Sequence, residues 1–78
     1  MIQDANAGIE RILSSDSVRK QHVSIVVGMI DATPGLTCFR IYIGKKNVFD
    51  FEASTTALAV QPRLIEKRLI EEIDERRK

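Results

Sequence analysis

Val23-Ser24-Ile25-Val26-Val27-Gly28-Met29-Ile30, Cys38-Phe39-Arg40-Ile41-Tyr42-Ile43 and Val48-Phe49-Asp50-Phe51-Glu52 are three runs within residues 23–52 whose reading decides the fold. The first is dense in β-branched residues, which suit a pleated, half-buried surface. The second alternates: Phe39, Ile41 and Ile43 share one face, and Cys38, Arg40 and Tyr42 share the other. In the third, Phe49 and Phe51 point one way and Val48, Asp50 and Glu52 the other. Two turn signals separate the runs. Thr33-Pro34-Gly35-Leu36 has proline to preset φ and glycine to supply a positive φ. Gly44-Lys45-Lys46-Asn47 combines residues that tolerate left-handed backbone with lysines that belong in water.

Keeping the apolar sets together sets the expected register, because a slip of one residue moves every side chain to the other face. Ile41 falls opposite Phe49, and Phe39 opposite Phe51. Arg40 then lies opposite Asp50, a favourable cross-strand pair. The same logic sets Met29 against Phe39, Val27 against Ile41 and Ile25 against Ile43. Val26 and Ile30 are the apolar exceptions on the polar face.

Outward from the meander, residues 2–15 read as an amphipathic helix, with Ile2, Ala5, Ile9, Ile12 and Leu13 on one stripe and Asp4 or Asn6 as its cap. Gly8 within it either allows close approach to the sheet or is simply tolerated. Ser14-Ser15-Asp16-Ser17 ends this helix, and Arg19, Lys20 and Gln21 lead into the first strand. After the third strand, Ser54-Thr55-Thr56 is a turn or helix cap. Ala57-Leu58-Ala59-Val60 suits either a helical turn or a short edge strand. Pro62 marks the start of a last helix that runs almost to residue 78. Ile65, Leu69 and Ile73 form its sheet-facing stripe. Leu64 and Ile70 widen the apolar arc, which is covered either by the first helix or by a partner.

The expected fold is α+β: one domain over residues 1–78, in which a three-stranded antiparallel meander packs against an N-terminal and a C-terminal helix, in the order αβββα. At 78 residues with a formal net charge of +1, the chain is near the lower limit for independent stability. It also has no global bias toward anionic partners. A single cysteine excludes an internal disulfide, and with one histidine it excludes a zinc site within one chain. No secretory leader and no apolar run of membrane-spanning length is read, so the expected setting is the cytoplasm or a host cell interior.

Catalytic patterns are also lacking. His22 has no orienting partner and nucleophile at a telling spacing. Cys38 reads as a half-buried filler. The acidic residues of the last helix alternate with bases, as on a solvated face, and Gly35 and Gly44 are isolated turn glycines. No cofactor or metal is expected, and the chain is read as non-catalytic.

Two binding readings are left. The first is a protein-binding module (an inhibitor, adaptor or assembly factor, such as a phage or mobile-element accessory protein) that acts by occupying a partner surface. Its candidate contacts are Leu64, Ile70 and Arg68 on the last helix and Tyr42 and Arg40 on the sheet, with a homodimer through the last helix as one form. The second is an electrostatic RNA or DNA binder. Lys45 and Lys46 at a hairpin tip, and Arg19 and Lys20 before the first strand, belong to the same end of a meander and can together contact phosphates. The order helix–three strands–helix is shared with the double-stranded-RNA-binding fold, a likeness of topology alone. Against that reading, Arg63 stands alone at the start of the last helix, and Tyr42 alone cannot form a base-stacking platform.

Overall fold

A computed structural model describes residues 5–29 and 35–78. Helix α1 (Ala5–Leu13) and a short helix α2 (Asp16–Arg19) precede strands β1 (Ser24–Met29), β2 (Leu36–Ile43) and β3 (Asn47–Ser54). Helices α3 (Thr55–Val60) and α4 (Pro62–Arg77) follow. The strands form one antiparallel sheet in the order β1-β2-β3. This is the αβββα, α+β arrangement read from the sequence.

Alternation builds a two-layer molecule. Phe39, Ile41 and Phe49 are buried on one sheet face with Ile12, Val18, Leu58, Ile65, Leu69 and Ile73 from the helices. On the other face Val26, Arg40, Tyr42, Val48, Asp50 and Glu52 are exposed, so the helical layer lies on the core side only.

Between β2 and β3 the register is the expected one, with Phe39 opposite Phe51, Arg40 opposite Asp50 and Ile41 opposite Phe49. Between β1 and β2 it is shifted by two residues: Val27 faces Phe39, Ile25 faces Ile41 and Met29 faces Thr37. A shift of two preserves the core face, so the alternation cannot distinguish the two registers. At its other edge the start of β2 is held to the start of α3. Buried Thr37 shares a 2.8 Å hydroxyl–hydroxyl hydrogen bond with Thr55, whose N–H donates to the Gly35 carbonyl at 2.9 Å. Gly35 has φ 89° and Gly44 φ 71°, the positive values expected of turn glycines. Residues 33 and 34 of the first turn, and the proposed cap Asp4, lie outside the described residues.

Three local readings change. Ser14-Ser15-Asp16-Ser17 is not only a helix end: α2 begins at Asp16 and buries Val18. The ambiguous Ala57–Val60 stretch is helical, and Ser54 caps α3 by accepting a 3.2 Å hydrogen bond from the Ala57 N–H. Gly8 does permit a close approach, but to α3 and not to the sheet. A Cβ there would overlap the Leu58 carbonyl oxygen. Pro62 starts α4 as expected.

Candidate functional site

The Leu64 and Ile70 side chains lie on opposite flanks of α4, since six residues at roughly 100° each leave them about 120° apart. Ile70 is partly buried and packs against the protein's own core. Its flank also carries Arg77, whose guanidinium donates to the carbonyl and the side-chain oxygen of Gln21 just after α2. This flank is therefore turned inward. Leu64 is 45% exposed, on the flank that carries Arg68, Glu71 and Glu75. The wide apolar arc is thus half used by the fold and half open.

Leu64 itself lines an opening with Arg11, Val60, Gln61, Pro62 and Arg63, and only the later turns of its flank border the sheet edge. Helix α4 runs back alongside β3: Asn47 at the strand's start donates through Nδ2 to the Arg76 carbonyl at 3.1 Å. The Arg76 guanidinium sits 4.8 Å from the centre of the Phe49 ring, a cation–π contact. Further along, Phe51, Arg68, Glu71, Glu72 and Glu75 line an open groove between strand and helix. Phe51, expected in the full core, is only half-buried there. Its inner edge meets Phe39 in a T-shaped contact with centroids 6.1 Å apart, and its outer edge faces the groove. The opening is local to Phe51, since Phe49 and Ala53 on either side of it along β3 are buried.

Arg40 and Tyr42, the sheet candidates, lie on the opposite, open face. Arg40 donates to both carboxylate oxygens of Asp50, at 2.9 and 3.3 Å. That hydrogen bonding holds the Asp50 carboxyl below the usual carboxylate range and raises Arg40 in turn. Both groups are solvated, so the pair orients the side chains more than it stabilises the fold. Burial pushes the neighbouring Cys38 thiol up, and the Asp50 and Glu52 carboxylates push it further. The five candidate contacts thus occupy separate places: Arg68 in the groove, Leu64 on the same flank but beside Arg11 and the start of α4, Ile70 on the inward flank, and Arg40 and Tyr42 across the sheet.

The basic candidates do share one end of the sheet. Ser24 pairs with Tyr42 and Ile43 with Asn47, which sets the start of β1 and the Lys45-Lys46 turn at the same end. Arg19 and Lys20 approach β1 there, and all four are exposed. The sequence reading missed three more cations, Arg76, Arg77 and Lys78, brought to that end by the Asn47 and Gln21 contacts. Length was the available signal: α4 spans roughly 24 Å and β3 roughly 26 Å, so a helix starting beside the end of β3 finishes beside its beginning. Exposed His22 sits in the turn between α2 and β1 with φ 56°, a left-handed conformation in which histidine is enriched.

Among the described residues no group of three His, Cys, Asp or Glu could hold a metal ion, and no helix is long and apolar enough to cross a membrane. Comparison with known proteins finds no matching family model, curated protein or solved structure.

Proposed function

We propose that the chain is a small non-catalytic module that binds another protein and acts by occupying its surface, as an inhibitor, adaptor or assembly factor does. The observation that carries this reading is an incompletely covered core residue on a sheet edge: half-buried Phe51 of β3, in an open groove with Arg68, Glu71, Glu72 and Glu75 of α4. An edge strand next to an incompletely covered aromatic is a surface that a second chain can complete. The proposed setting is the cytoplasm or a host cell interior, which suits a lone thiol and a phage or mobile-element accessory protein. A homodimer through α4 is the competing occupant. The fold supports it less, because Ile70 is already engaged and the open flank is acidic.

The test is affinity capture from the cells that express the protein, with and without nuclease, by the wild-type chain and two double variants. Under this reading a nuclease-resistant partner is retained by Lys45→Glu/Lys46→Glu and lost with Glu71→Lys/Glu75→Lys. A partner indifferent to the groove variant, or no protein partner at all, contradicts it.

A second reading has its own observation, the convergence of Arg76, Arg77 and Lys78 with Arg19, Lys20, Lys45 and Lys46 at one end of the sheet. Such a pole suits contact with nucleic-acid phosphates. Its mark is RNA or DNA binding that weakens steeply with salt and vanishes in Lys45→Glu/Lys46→Glu. Absence of binding to duplexes at low salt eliminates it.

A further inference from the structure

We propose that the groove between β3 and α4 takes an extended, Lys- or Arg-bearing segment of the partner, which adds to the sheet as a fourth strand on β3. This inference rests on the protein-binding reading and specifies how the partner is held.

The strand supplies the template. β3 pairs with β2 without a bulge along its whole length, Asn47 to Ser54, and no described strand lies on its other side. Alternate N–H and C=O groups of such an edge are free to pair with another chain. Asn47–Ser54 contains no proline and no lysine, and its charged residues are the carboxylates Asp50 and Glu52, which discourage an acidic or identical strand but not a basic one. Helix α4 forms a second wall parallel to that edge, with Phe51 at the base of the groove. A sheet edge flanked by a helix is the geometry in which extended peptides are held by main-chain hydrogen bonds and selected through alternate side chains.

Charge then selects the occupant. Glu71, Glu72 and Glu75 line the helical side against Arg68 alone. Glu52 is exposed on the open face of β3. Asp50 is already paired with Arg40, and Arg76 is confined to the Phe49 end. The half of the groove around Phe51 therefore has an excess of carboxylates. An acidic segment is repelled there. A second copy of β3 would set Glu52, Glu71, Glu72 and Glu75 against their own counterparts, which disfavours a symmetric dimer through this edge. A basic segment fits both features, because the aliphatic stem of Lys or Arg lies over the Phe51 ring while its charge reaches the glutamates.

The experiment titrates three synthetic nine-residue peptides into the isotope-labelled full chain and follows backbone amide shifts. One peptide alternates Val with Lys, and one alternates Val with Glu. The third repeats the Val–Lys sequence with alternate backbone amides N-methylated, so that one edge cannot donate hydrogen bonds. The Val–Lys peptide should shift amides of residues 47–54 and weaken with added salt. The Val–Glu and methylated peptides should bind at least tenfold more weakly. Glu71→Lys/Glu75→Lys should weaken the Val–Lys peptide at least tenfold and favour the Val–Glu peptide. Equal binding of the two charge types, equal binding of the methylated peptide, shifts confined to residues outside β3 and α4, or no binding overturns the proposal. If partner capture still depends on the groove when the peptides fail, only the strand-addition inference is lost. If capture is independent of the groove, the protein-binding reading falls with it.

Discussion

Replacing Gly8 with alanine separates the two readings the sequence leaves open, a tolerated glycine and a close approach, because they predict opposite signs. On helix propensity alone, alanine within α1 stabilises by roughly 1 kcal/mol. The structure adds an opposing effect: the new methyl would overlap the Leu58 carbonyl oxygen, a backbone atom that cannot rotate away. Either α1 and α3 separate, loosening the contacts around fully buried Ile12 and Leu58, or the helix distorts. Overpacking of this kind costs about 1–3 kcal/mol and sometimes more. Set against the helix gain, the net expectation is a loss of up to about 2 kcal/mol, which for a domain of this size lowers Tm by up to roughly 15 °C. Gly28 is the internal comparison. A Cβ there meets nothing within 4 Å, so Gly28→Ala should be neutral or stabilise by up to about 1 kcal/mol. Thermal and urea unfolding of both variants, followed by circular dichroism, gives the answer. A Gly8→Ala chain that melts above wild type would refute the α1–α3 packing from which the helical layer is built.

Other expectations follow from the same packing. Phe39→Ala, at a fully buried ring, should cost about 3–5 kcal/mol, whereas Phe51→Ala at the sheet margin should cost roughly half as much; equal losses in urea titrations would show that Phe51 is in the core after all. Leu64→Glu should change stability by no more than about 0.5 kcal/mol, while Ile70→Glu should lose about 1–3 kcal/mol, and a reversed order would mean that the flanks of α4 are misassigned. Cys38 should stay a protonated thiol at neutral pH and react with iodoacetamide more slowly than free cysteine, since its pKa is raised; faster alkylation would contradict that. Because Asp50 is held below the ordinary carboxylate range, the Arg40–Asp50 contribution should be intact above about pH 3.9. It should be lost only as pH falls through the depressed value, and a carboxyl NMR titration midpoint at or above the ordinary value would contradict the pairing.

Much of the fold is legible in the chain because its signals are periodic. Alternation in residues 38–43 and 48–52 sets which side chains face the core, and Pro62 marks the start of α4. Alternation has a period of two, however, so it could not reveal that β1 pairs with β2 two residues away from the expected register. The Thr37–Thr55 contact between β2 and the start of α3 was hidden for another reason, since it joins residues distant in sequence. Helix α2 was hidden because four residues with one buried valine make no recognisable period. Of the candidate contacts, Leu64 was identifiable from the width of the α4 arc. Its separation from Ile70, and the partial exposure of Phe51, depend on where α4 sits across the sheet, which no local pattern records. The acidic wall read as an ordinary solvated helix face because its meaning comes from the strand edge it borders.

Backbone hydrogen exchange of β3, measured for the free chain and for the chain bound to its captured partner, tests the central claim most directly. In the free protein, alternate amides within Asn47–Ser54 should exchange quickly, because one side of the strand has no neighbour among the described residues. In the complex those amides should become protected, together with the α4 backbone near Glu71. Protection confined to the Lys45-Lys46 turn, or to the open face around Tyr42, with β3 unchanged, would contradict the assignment of this edge as the binding surface.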